Sequence, residues 1–181
     1  MNRPPPPTQE TPLWKFSLAV YGSDGVAAEC LALQERFAVD VNLLLFVAFA
    51  GAVEGVALNA REVAAAAESV SGWHADIVRA LRGARQRLKP MSLDAHDSHR
   101  AAATALRAKV KAAELESEKI EQAMLWDHWR RQSGAYTPGN RSEALAANLR
   151  ALLVHYGAPA EPKESVPRLQ TAALAFATSK S

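Results

Sequence analysis

The chain has a single cysteine, Cys30, among its 181 residues, which excludes an internal disulfide and any site built from several thiolates. A strong charge of one sign is missing as well. The 21 Lys and Arg are nearly balanced by 19 Asp and Glu, for a formal net charge of +2, so attraction to nucleic acid or anionic lipid has to come from a local patch. Long hydrophobic runs are absent. The most apolar stretch, Leu43 to Val53, ends at Glu54, well short of the ~20 residues a membrane-spanning helix needs. It reads as a buried helix, and no membrane span is expected. No run has the two-residue period of a strand, no glycine pattern fits a phosphate loop, and no internal repeat stands out. The segment around Pro4 to Pro7 lacks the apolar core of a secretory signal. With the lone cysteine, this points to a reducing, cytoplasmic compartment.

What is present is helical periodicity. Pro12 suits a first helical turn, and the crowded apolar residues Leu13, Trp14, Phe16 and Leu18 predict a short helix ending at Gly22. Asp24 is placed to cap a second helix, in which Val26, Cys30, Leu33 and Phe37 share one face. Asp40 precedes a third helix that is apolar on nearly every side, with Gly51 and Gly55 at its weakening end, so this helix belongs at the centre. Asn59 and Glu62 form a capping box for an alanine-rich helix to about Val70, which Ser71 and Gly72 interrupt. An amphipathic helix from Trp73 to Leu88 follows, stopped by Pro90.

The longest element runs from about Asp97 to Arg131, capped by Asp97 or Ser98. Leu106, Val110, Ala113, Ser117, Ile120 and Met124 form its packing seam. Ser142 opens a last helix bearing Leu145, Leu149, Leu152 and Leu153. The expectation is an all-α, single-domain bundle of about six to seven helices with one long helix near 97–131. It spans residues 12–157 between a Pro-rich tail, 1–11, and a flexible C-terminal stretch, 158–181, with room for a short helix.

Few residue groups suggest chemistry. His96 and His99, beside Asp94 and Asp97, offer imidazole and carboxylate ligands to a metal, although a solvated helix cap explains the same residues. Glu114, Glu118 and Glu121 share a face but lack the histidine partner of a helical metal site, which favours a salt-bridged solvated surface. Arg79, Arg82, Arg85, Arg87 and Lys89 form the one concentrated basic run. It suits phosphates or an acidic partner, or an internal match with the long helix's glutamates.

Gln34, Asp40 and Asn42 gather at the joint of two apolar helices. There they either fix the helix angle or floor a pocket walled by Trp14, Tyr21 or Trp73. Cys30 sits on an apolar face and has no neighbouring base. No nucleophile, base and orienter can be assembled from neighbours, and no cofactor is expected.

The run LWKFSLAVYGSDGVAAECLALQERFAVDVNLLLF, followed by RLK and by KAAELESEKIEQ, resembles a family of small, all-helical bacterial proteins of unknown function. The resemblance spans Leu13 to Met124 and is most distinctive at Trp14–Tyr21, Cys30–Gln34 and Asp40-Val41-Asn42. It departs in the Ala48–Gly51 region, at Phe49. It implies domain extent and a bacterial, cytoplasmic origin, and it transfers no site.

Three functions remain in view. The first is a non-enzymatic helical interaction or regulatory protein with a protein partner or a second copy of itself. The second is a small-molecule or metal-binding protein, conceivably an enzyme, with a site where Gln34, Asp40, Asn42 and Trp73 meet the long helix near Glu114. The third is a basic-patch binder of nucleic acid or anionic ligand through Arg79, Arg82 and Arg85.

Overall fold

The computed structural model describes residues 10–94, 97–161 and 166–179. The fold is all-α and single-domain, with no strand among the described residues. Its contacts gather into two compact units. One comprises the residues up to Ser69 together with those from Gln122 onward, and the other is Val70–Glu121.

In the first unit, α1 (Pro12–Tyr21) starts with Pro12 in its first turn and Thr11 Oγ1 accepting from Trp14 N at 3.0 Å. Helix α2 (Val26–Phe37) departs from expectation, because its N-cap is Gly25 at φ 75° and no side chain caps it. Asp24 instead accepts from Arg168 Nη1 at 2.9 Å.

Helix α3 (Val41–Ala52) is capped by Asp40, whose Oδ1 accepts from Asn42 N at 2.8 Å, and every residue from Asn42 to Ala52 is buried. It packs against α7 (Arg141–His155), which is capped by Asn140, two residues before Ser142. The approach is tight at Gly51, where an added Cβ would lie 2.5 Å from the Leu145 Cα. Asn148, fully buried on α7, ties up the chain where it leaves α3. It accepts from Leu58 N at 2.6 Å and donates to Val47 O at 3.1 Å and Val56 O at 2.9 Å. Leu58 N and Val56 O, in the non-helical chain after α3, are thereby satisfied in an apolar interior, and Val47 O, already within the α3 ladder, gains a second donor.

Residues 158–181 carry α8 (Pro167–Thr178), which buries Leu169, Ala173 and Ala177 and sets Phe176 edge-on to Phe16 at 5.2 Å. The Glu29 carboxylate caps α8 from α2, accepting from Arg168 N at 2.9 Å and Leu169 N at 3.0 Å. Of the Pro-rich stretch 1–11, residues 1–9 lie outside the described residues.

Helix α4 (Ala60–Trp73) opens with the expected capping box. Asn59 Oδ1 accepts from Glu62 N at 3.0 Å, and Glu62 Oε2 accepts from Asn59 N at 2.7 Å. The break expected at Ser71 and Gly72 does not occur. The helix continues through Trp73 into one turn of π-helix, His74–Val78, and on into α5 (Arg79–Asp94). Both Ser71 and Gly72 are exposed, and a solvated glycine lowers helix stability by only ~1 kcal/mol. Pro90 does not stop α5 either. It is exposed, so water can take up the carbonyl its ring leaves without a donor.

Helix α6 (Asp97–Gln132) is the long helix at nearly its expected bounds. Its packing face differs from the apolar seam. Of the seam only Ser117 is buried; Leu106 and Ala113 are exposed, Val110, Ile120 and Met124 are half-buried, and Glu114, Glu121, Gln122, Leu125, His128 and Trp129 are buried instead. Among the described residues no single helix is long and apolar enough to cross a membrane.

Candidate functional site

Polar groups gather inside each unit. In the second unit, α5 and α6 run antiparallel, with Arg85 beside Glu114 and His74 beside Glu121. Arg85 Nε donates to Glu114 Oε2 and its Nη2 to Oε1 at 3.1 Å, while Arg82 Nε reaches Oε1 at 3.0 Å. Arg82 Nη2 also donates to Glu118 Oε1 at 2.7 Å.

The two carboxylates respond in opposite directions. Burial pushes Glu114 up, but the hydrogen bonds and charges of Arg85 and Arg82 outweigh it and hold its carboxyl below the usual range. At Glu118 burial prevails. Arg82 offsets it only in part, and the neighbouring Glu114 and Glu121 charges add to the upward push. One guanidinium therefore joins an ionised carboxylate to one that takes up a proton more readily.

Towards α4, Glu121 is fully buried, and its Oε1 lies 2.9 Å from His74 Nδ1. Trp73 Nε1 donates to Ser117 O at 3.0 Å. His74 opens the π turn, an irregularity that re-aims side chains and is common at functional sites. His74 and Glu121 offer one imidazole and one carboxylate of the kind a metal takes.

In the first unit, Asn42 Oδ1 accepts from Gln122 Nε2 at 3.0 Å, so the joint at the head of α3 does meet the long helix. Gln122 is 2% exposed, and its Oε1 has no hydrogen-bond partner among the described residues. The same holds for Gln34 Nε2. Farther along α6, His128 stands edge-on to Phe46 with ring centroids 6.4 Å apart, and burial followed by the Arg131 charge holds its imidazole below the usual range.

The residues singled out from sequence thus divide. Asp40 and Asn42 belong to the first unit, whereas Trp73 and Glu114 belong to the second and make the bonds given above. The three glutamates do not form a solvated face, since Glu114 and Glu121 are buried and Glu118 is paired inward. Arg82 and Arg85 are engaged with them, whereas Arg79, Arg87 and Lys89 are exposed. His99 is exposed and His96 lies outside the described residues, as do the side chains of Asp94, Asp97 and Ser98, on which the expected cap depends. Burial raises the Cys30 thiol to about 12, which leaves it unreactive as a nucleophile.

Sequence reasoning missed His74, Gln122, His128 and Asn148. Of these, Asn148 alone carried a signal, a polar residue within the leucine stripe of α7.

No curated protein and no solved structure matches the chain. A family does match, over residues 12–125, and its description leaves function open. By that match, which takes in α1 to α5 and most of α6, the chain belongs to the family described as "Protein of unknown function (DUF2390)".

Proposed function

We propose that the protein is a non-enzymatic helical interaction protein whose docking surface is the α5/α6 hairpin. One observation carries this reading. Within Val70–Glu121 the hairpin turns Arg82, Arg85, Glu114 and Glu121 inward and leaves apolar residues outward, with Met91 62% exposed, Leu106 50% and Ile77 37%. A two-helix hairpin cannot close over its own apolar flanks, and an exposed apolar strip with polar edges is how helical proteins meet partners.

The test is affinity capture from cell extract with the wild-type chain and with Met91→Asp/Leu106→Asp. Both sites are exposed, so the fold tolerates the change. The expected result is a set of captured proteins that disappears with the double variant. An unchanged set overturns the reading.

A second reading, a small-molecule site at the head of α3, draws on the unpartnered Gln122 Oε1 beside Asn42. A buried acceptor without a donor costs about 1–3 kcal/mol, which a ligand N–H or O–H would recover. Thermal-shift screening tests it. A ligand at 100 times its dissociation constant adds about 2.7 kcal/mol, and stabilisation lost in Gln122→Leu is the supporting outcome. Third comes the basic-patch reading, which shifts to the exposed Arg79 and Arg87, because Arg82 and Arg85 are occupied by Glu114 and Glu118.

A further inference from the structure

The outward strip of the hairpin has an internal symmetry. The pairs Arg85–Glu114 and Arg82–Glu114 put Ala84 of α5 level with Ala113 of α6. From Ala84, seven residues lead forward to Met91 and seven back to Ile77. From Ala113, seven lead back to Leu106 and seven forward to Ile120. Seven residues are two α-helical turns, so each triad follows one flank of its helix, with Ile77, on the wider π turn, set somewhat off the line of Ala84 and Met91.

On both helices that flank is turned by about 100° in the same sense from the inward face of Arg82, Arg85, Glu114 and Glu121. In an antiparallel pair, equal rotation brings the two flanks to the same side. Met91, Leu106, Ala113 and Ile77 are exposed there, and Leu81, Ala84, Leu88, Val110 and Ile120 are half-buried.

We infer that a second copy of this chain docks on the strip, antiparallel, about a two-fold axis that crosses it at Ala84 and Ala113. This rests on the docking reading of the hairpin above and names its occupant. The two-fold brings Met91 against the partner's Ile77 and Leu106 against the partner's Ile120. At the centre, alanine meets alanine, where short side chains allow close helix approach.

The charge at the edge of the strip matches itself under the same operation. Lys109 lies one turn to one side of Ala113 and the exposed Glu116 about one turn to the other, both on the outer edge of α6. The two-fold therefore sets Lys109 beside the partner's Glu116, a carboxylate that Lys119 of its own helix also meets at 2.7 Å, twice per dimer. The strip is roughly 21 Å long and 20 Å wide, which buries about 840 Å² over two copies, the size of a weak, reversible interface. The product is a four-helix bundle whose ion pairs stay inside each hairpin and whose apolar strip is covered.

The full-length chain is taken through analytical ultracentrifugation up to about 200 µM, where a dimer of micromolar dissociation constant is fully formed. Ala113→Glu, at an exposed site, makes two carboxylates face each other across the axis, and circular dichroism confirms that the variant is folded. The expected result is a dimer for the wild type and a monomer for Ala113→Glu. Lys109→Glu raises the dissociation constant about tenfold, and adding Glu116→Lys to it restores most of the loss.

A monomeric wild type, a dimer indifferent to Ala113→Glu, or a charge swap no better than the single change overturns the assignment. A monomer that still captures proteins through Met91 and Leu106 overturns the second copy alone. A monomer that captures nothing overturns the docking reading with it.

Discussion

The two units solve the problem of a helical interior by opposite means. In the first, α3 supplies a centre of Leu43, Leu44, Phe46, Val47 and Phe49, each 0–2% exposed, and α7 adds Leu145, Leu149, Leu152 and Leu153. Polar groups enter only as fasteners, as Asn148 does for the chain leaving α3. In the second unit the described hydrophobes that are fully buried come down to Val70 and Val78, while Glu114, Ser117 and Glu121 are buried beside them. An apolar core gains stability with each methylene removed from water. A buried ion-pair network gains little net stability but demands one register, because any slip strands a charge.

The largest effect expected from this contrast is at the α3/α7 contact. Gly51→Ala would put a methyl carbon 2.5 Å from the Leu145 Cα and 2.6 Å from its nitrogen, both backbone atoms that cannot step aside. The cost is about 3 kcal/mol in urea unfolding, at the upper end for overpacking. A loss under about 0.5 kcal/mol would mean that the apolar unit yields more easily than its packing implies.

Next in size is the network of the second unit. Glu114→Ala leaves Arg82 and Arg85 without their shared acceptor, at a cost of about 1–3 kcal/mol. The triple change Arg82→Leu, Arg85→Leu, Glu114→Leu brings stability back towards the wild-type level, short of it by the cost of leaving Glu118 without Arg82. Chemical denaturation of both variants decides the point. If the triple variant is the less stable of the two, the network itself contributes stability and the contrast between the units weakens.

A smaller effect of opposite sign is expected on α4. Gly72→Ala meets nothing within 4 Å and sits in a continuous helix, so it gains about 0.5–1 kcal/mol from helix propensity alone. The same substitution that harms the first unit at Gly51 should raise the unfolding midpoint here. Destabilisation at Gly72 would show that the helix is strained towards its π turn.

These positions also show how far the amino-acid order was readable. The burial of α3 was legible because its apolar residues surround the helix, which leaves one environment for it. The Asn59–Glu62 box and the bounds of α6 were legible because caps and breakers act locally. Gly72 and Pro90 misled because a breaker's cost depends on whether its surroundings are solvated, which is a tertiary property. The face of α6 was misread for a related reason. Leu106, Ala113 and Ile120 form the better heptad, but Arg82 and Arg85 across the hairpin select Glu114 as the inward residue, and a partner on another helix leaves no mark in α6's own pattern. Gln122 was invisible on the same ground, since Asn42, eighty residues away, gives it its meaning.

The smallest expected effect separates the units by pH. His128 of the first unit has its imidazole held below the usual range by burial and by Arg131. Between the folded and unfolded values the unfolded chain binds more protons, so stability should fall as pH drops below about 6.5 and level off once the folded group also titrates. Glu114 of the second unit, also held low, contributes stability that persists until pH falls through the carboxylate range. Glu118, held high, works against it there, because its folded form takes up a proton first. Urea unfolding at stepped pH should therefore show a first decline that His128→Phe removes, and at lower pH a second that Glu114→Gln reduces. If His128→Phe leaves the first decline intact, the acid sensitivity does not originate in the aromatic cluster around Phe46, and the apolar unit has no titrating group of consequence at its core.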